Sequence, residues 1–117
     1  MNVTDKHIRD KVLFDILIER KKQDEKYGEH NRRTSAQMLS TLPCERYGLP
    51  SEEVIKSHTD EAMEVGKLTF AHVATEELIE AISAKDEVNQ REELIQCAAS
   101  IVQWIEAIDR KNSKSVN

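Results

Sequence analysis

Three carboxylates, Glu76, Glu77 and Glu80, fall within one pentapeptide, and a fourth, Glu93, stands on a later amphipathic stretch. On an α-helix, residues three and four apart share a face, so Glu76 and Glu77 both stack on Glu80. Like charges so placed cost about 0.2–0.5 kcal/mol per pair, and the residues around them (Phe70, Val73, Ala74, Leu78, Ile79, Ala81, Ile82) are largely apolar. A cation is the natural compensation. Mg²⁺ prefers hard oxygen ligands, retains several waters, and is commonly held by a few carboxylates together with substrate phosphates. Glutamate is also a good helix former, and a Glu-rich face is the ordinary mark of a solvated helix.

Glu93 and Gln96 lie three residues apart near the start of the last amphipathic stretch. The connection between the two acidic segments is short enough to make their helices antiparallel neighbours, so that Glu76, Glu77, Glu80 and Glu93 form a cage for one or two Mg²⁺ ions. Such ions bridge phosphate oxygens and polarise a water, which suits phosphate-ester hydrolysis. Di-iron bundles instead use Glu-x-x-His pairs, and none of His7, His30, His58 or His72 has a Glu three residues before it. His72, one turn before Glu76, reads as structural. Nucleophilic catalysis finds no G-x-S-x-G, and Cys97 sits in an apolar stripe that disfavours a thiolate. Phosphate-cradling glycine loops are absent as well. A second set, Arg20, Gln23, Lys26 and Tyr27, combines cations for phosphate with an amide and a ring for a nucleoside. A solvated basic surface accounts for the first three equally well.

The elements that must position these residues are helices. The 117 residues include only 3 Gly and 2 Pro against 33% charged residues, which points to one all-α domain that buries about two thirds of its extended-chain surface. The spacing of Ile8, Val12, Leu13, Ile16 and Leu17 predicts a first helix from an Asp5 cap to about Lys26, closed by Gly28. A polar connection follows from Glu29 to Pro50, with one helical turn around Ala36 to Leu42. Ser51 caps a second, polar helix that ends near Gly66, and Thr69 opens a third that ends near Ala84. The Asn89 to Glu92 spacing reads as a capping box for a fourth helix reaching about Arg110. Its apolar stripe of Leu94, Ile95, Ala98, Ile101, Val102, Ile105 and Ile108, widened by Cys97 and Trp104, calls for burial on two sides. The expected architecture is therefore a four-helix bundle whose core a second copy completes, as a homodimer or homotetramer. Residues 1–111 form the domain and 112–117 a polar tail.

A net charge of −5 disfavours duplex nucleic acid as a partner. The absence of long apolar runs and of a leader pattern predicts a soluble cytoplasmic protein with no membrane role. Two well-separated cysteines, Cys44 and Cys97, predict reduced thiols.

The set Glu19-Arg20-x-x-Gln23-x-x-Lys26-Tyr27-Gly28, then Phe70-Ala71-His72 leading into Glu76-Glu77-x-x-Glu80, then Arg91-Glu92-Glu93-Leu94-Ile95-Gln96 and Trp104 to Arg110 resembles the MazG-like all-α nucleoside triphosphate pyrophosphohydrolase family, in particular its small phage and bacterial members. The resemblance spans about residues 15 to 110 and is weak from Arg32 to Lys56. It implies Mg²⁺-dependent cleavage of nucleoside triphosphates to monophosphate and pyrophosphate, with Glu76, Glu77, Glu80 and Glu93 as the catalytic metal-binding acids. It also implies a nucleotide as substrate, with Arg20, Gln23, Lys26 and Tyr27 assigned to its binding. One position departs: Gln96 stands where the family pattern has Asp, and an amide gives a divalent cation less charge than a carboxylate. That departure keeps a nucleotide-sequestering protein open as an alternative. A structural helical interaction module is the second alternative.

Overall fold

A computed structural model describes residues 3–29, 31–37 and 43–116. Among them are five α-helices, α1 (Val3–Tyr27), α2 (Pro43–Arg46), α3 (Glu52–Glu64), α4 (Phe70–Ile82) and α5 (Glu87–Val116), with a 3₁₀ turn at Ser35–Gln37 and no strand. The all-α class is as expected, with one short helix more than the four anticipated. That helix, α2, falls in the connection expected to be irregular. The 3₁₀ turn overlaps the helical turn expected around Ala36 to Leu42, whose residues 38–42 lie outside the described residues.

Local chemistry sets the helix ends. Gly28 has φ +73 and donates its N–H to the Asp24 carbonyl at 2.8 Å, the left-handed stop anticipated for α1. The start differs, because the helix begins at Val3 and Asp5 lies in its first turn rather than capping it. Ser51 caps α3, its hydroxyl accepting from the Val54 N–H. At the other end Lys67 N–H donates to the Ala62 carbonyl at 2.8 Å and Gly66 N–H to Met63 at 3.1 Å, a Schellman closure with Gly66 at φ +71.

Thr69 opens α4 through a reciprocal box. Its hydroxyl accepts from the His72 N–H at 3.3 Å, and His72 Nδ1 accepts from the Thr69 N–H at 3.1 Å, so the imidazole takes the role usually filled by Glu or Gln. The expected Asn89 cap is replaced by one three residues earlier. Asp86 Oδ1 accepts from the Asn89 N–H at 2.8 Å, because a carboxylate at this position reaches the third exposed amide of a helix that starts at Glu87. The backbone of α5 then stays helical to Val116, past Arg110 and through most of the segment expected to fray; Asn117 lies outside the described residues.

The chain divides into two compact units, one of residues 1–32 with 102–117 and one of residues 33–101. In the first, Val12 is buried, and so is Glu106, at 2% exposure. Arg9 meets the Glu106 carboxylate, Nε to Oε2 at 2.7 Å and Nη2 to Oε1 at 3.5 Å, which answers the requirement that a buried carboxylate be paired. In the second, Cys44, Thr59, Ala62, Ile79, Ala81 and Cys97 are buried, and α3 packs on α4. Both cysteines are free thiols, and Cys44 Sγ lies 2.9 Å from Ser83 Oγ.

The C-terminus of α4 is closed from outside the helix. Ser35 Oγ donates to the Ile82 carbonyl at 2.9 Å. The buried Gln90 amide donates to the Ala81 carbonyl at 2.8 Å and to Ser35 Oγ at 2.5 Å. The Ile82 carbonyl gains a partner in this way, and the Ala81 carbonyl, which also accepts from the Ala84 N–H at 3.3 Å, gains a second. Replacing Gln90 with Ala should cost about 1–3 kcal/mol in urea denaturation, whereas Gln103→Ala on the exposed surface should stay within about 0.5 kcal/mol.

Candidate metal and phosphate site

Hydrogen bonds join α4 to α5, among them Gln90 to the Ala81 carbonyl at 2.8 Å, Cys97 Sγ to the Ala74 carbonyl at 3.6 Å, and Ser100 Oγ to Glu77 Oε2 at 2.7 Å. Gln90 meets Ala81 at the end of α4, and Cys97 and Ser100, farther along α5, meet the earlier Ala74 and Glu77, so the helices are antiparallel neighbours, as the short 83–86 connection requires.

The four acids differ in their surroundings. All are partly buried. Glu80 and Glu93 line an open concavity of ≈ 380 Å³ together with Glu52, Lys85, Asp86 and Asn89. Glu76 and Glu77 do not line it, and Glu77 is engaged by the Ser100 hydroxyl. Gln96 is exposed. Burial pushes the Glu80 carboxyl above the ordinary carboxylate range, and Glu93, Glu76, Glu52 and Glu77 raise it further by repulsion, in that order. Glu93 Oε2 is buried with no hydrogen-bond partner. A carboxylate oxygen left without a hydrogen-bond partner, close to other acidic side chains, is costly in a partly desolvated place.

That donor set fits Mg²⁺, whose ligands are carboxylate oxygens and water. The fit is one of chemistry and neighbourhood. Among the described residues no three His, Cys, Asp or Glu side chains are already drawn around a common point. Lys85 lines the same concavity and brings a positive charge to it.

Burial and then Glu77 raise the Cys97 thiol, so it behaves as the inert core residue expected. His72 spends Nδ1 on the cap of α4.

Arg20, Gln23, Lys26 and Tyr27 occupy the last two turns of α1, in the first unit. Arg20 donates to Gln23 Oε1 at 2.8 Å and pairs with Asp24 at 2.8 Å, Gln23 donates to Glu19 at 3.4 Å, and Lys26 Nζ stands 5.0 Å from the Tyr27 ring centre. The four are thus two locally linked, exposed pairs, Arg20 with Gln23 and Lys26 with Tyr27.

Sequence reasoning missed Glu52, Lys85 and Ser100. Glu52 carries only the signal of an acid in a helix's first turn, which favours the dipole anywhere. Lys85 and Ser100 belong to no spacing pattern. No helix among the described residues is long and apolar enough to cross a membrane. Comparisons with family models, with curated proteins and with solved structures found no match to this chain.

The raised Glu80 carboxyl links stability to pH with a definite sign. The folded chain holds this proton more tightly than the unfolded chain. Its contribution is therefore fully present below the ordinary carboxylate range and is lost as pH rises from there through the raised value. Metal-free Glu80→Gln should accordingly melt at a higher temperature than the parent at pH 7, and the difference should narrow toward pH 4. Differential scanning calorimetry in chelator checks both.

Proposed function

We propose that the chain is a Mg²⁺-dependent nucleoside triphosphate pyrophosphohydrolase of the MazG-like kind, acting in the cytoplasm and yielding nucleoside monophosphate and pyrophosphate. The observation that carries this reading is the unpartnered Glu93 Oε2 next to Glu80, a concentration of carboxylate that a divalent cation relieves. Glu77, Glu80 and Glu93 would be the principal ligands, with Glu76 a further ligand or the base that orients the attacking water. When bound, Mg²⁺ supplies bridging of phosphate oxygens and polarisation of a water. The chain's own part is to hold these carboxylates on two helices whose ends are capped, with the Ser100 hydroxyl donating to Glu77 Oε2. Arg20 and Lys26 are assigned the polyphosphate charge, and Gln23 or Tyr27 the nucleoside.

A homodimer or homotetramer belongs to the same reading. Leu13, Phe14 and Leu17 of α1 and Leu94, Ile95 and Ile108 of α5 are exposed, Leu17 at 64% and Ile95 at 56%, and a second copy is the simplest cover for helix faces so apolar.

Glu80→Gln should abolish Mg²⁺-dependent release of pyrophosphate and leave the helical circular dichroism unchanged. Turnover at the parental rate by that variant would refute the carboxylate cage. Recovery of intact triphosphate, bound after long incubation of the parent with Mg²⁺, would replace hydrolysis by sequestration.

A further inference from the structure

Arg9 on α1 and Glu106 on α5 meet through two hydrogen bonds inside the first unit. We propose that this ion pair is a register lock: it decides which turn of α1 lies against α5, a choice that the apolar residues of α1 leave open. The inference is independent of the metal and nucleotide reading above.

The sequence of α1 shows why apolar contact does not make that choice. Residues four apart stack on one helix face, and Ile8, Val12 and Ile16 follow one another at that spacing. Ile8 is half-buried, Val12 is buried and Ile16 is exposed, so the row continues as branched aliphatic side chain beyond the part that is covered. Sliding α1 by one turn, about 5.4 Å, exchanges one β-branched residue for the next and changes the buried apolar surface little.

The adjacent row behaves differently. It reads Asp5, Arg9, Leu13, Leu17, and its second member is the partner of Glu106. A slide in one direction sets Leu13 opposite Glu106, and a slide in the other sets Asp5 there. The Glu106 side chain is 3% exposed against 48% for Arg9, so the carboxylate bears the penalty. It becomes a buried charge without a partner in the first case and one that faces a second carboxylate in the other, and both are strongly unfavourable. Nε to Oε2 at 2.7 Å and Nη2 to Oε1 at 3.5 Å engage both carboxylate oxygens, which restricts rotation as well as translation. A buried ion pair adds little stability over well-packed apolar residues, and the setting of register is the best-attested use for one.

Two double variants of the full chain test the lock by isotope-edited NMR, with circular dichroism and thermal melting alongside. Arg9→Leu with Leu13→Arg moves the cation one turn along its row. The nuclear Overhauser contacts of Glu106 should then shift from position 9 to position 13, and Arg9→Leu alone should melt at a lower temperature than this double variant. Arg9→Met with Glu106→Leu removes both charges and keeps the bulk. It should melt no lower than the parent yet show more than one set of α1 amide resonances, because neighbouring registers become nearly equal. Glu106 contacts that stay at position 9 in the first variant, or a single set of amides with parental contacts in the second, would mean that apolar packing sets the register and overturn the proposal. Loss of the helical signal by either double variant overturns it too, since the pair would then be a requirement for folding rather than a choice among registers.

Discussion

The arrangement depends on negative charge held where water cannot fully solvate it. Glu80 is pushed toward its protonated form by burial first and by its neighbours second, and Glu93 keeps one oxygen from any donor. A helical protein with many exposed positions has room to place such groups outward at almost no cost. Here Glu80 and Glu93 are instead partly buried and line one concavity, where incomplete hydration of a carboxylate is unfavourable.

The surrounding framework is rigid at the points where that charge would otherwise pry it apart. Helix α4 is held at its N-terminus by the Thr69 and His72 box and at its C-terminus by Ser35 and Gln90. Its acidic residues are thereby kept in register with α5, and the Ser100 to Glu77 bond adds a side-chain tie across the pair. The Asp86 cap sets the phase of α5 at its first turn, which decides that Gln90 points into the core and that Glu93 meets Glu80. Helix ends and the site are one problem in this unit, because small rotations of either helix would redistribute the carboxylates.

The first unit follows a different logic. Its buried polar group, Glu106, is paired with Arg9, so no excess charge is stored there. What remains unsatisfied is apolar: the outer residues of α1 and the later residues of α5 carry large side chains into solvent. The sequence pattern of α5 had already shown more apolar positions than one neighbour can cover, and the single chain leaves several of them open.

Much of this was legible in the residues alone. Helix class, the breaks at Gly28 and Gly66, the caps at Ser51 and Thr69, and the proximity of the Glu80 and Glu93 segments follow from short-range rules, because periodicity and capping act over one or two turns. The errors were of the same range: Asp86 outcompeted Asn89 as the cap of α5, and α1 began before Asp5. Tertiary structure decided the rest. Which of the acids face the same concavity, that Glu77 is taken by Ser100, that His72 is spent on a cap, and that Glu52 arrives from another helix all depend on how α3, α4 and α5 pack. Spacing along a chain assigns residues to faces, but only packing determines which faces meet and which groups are left without water.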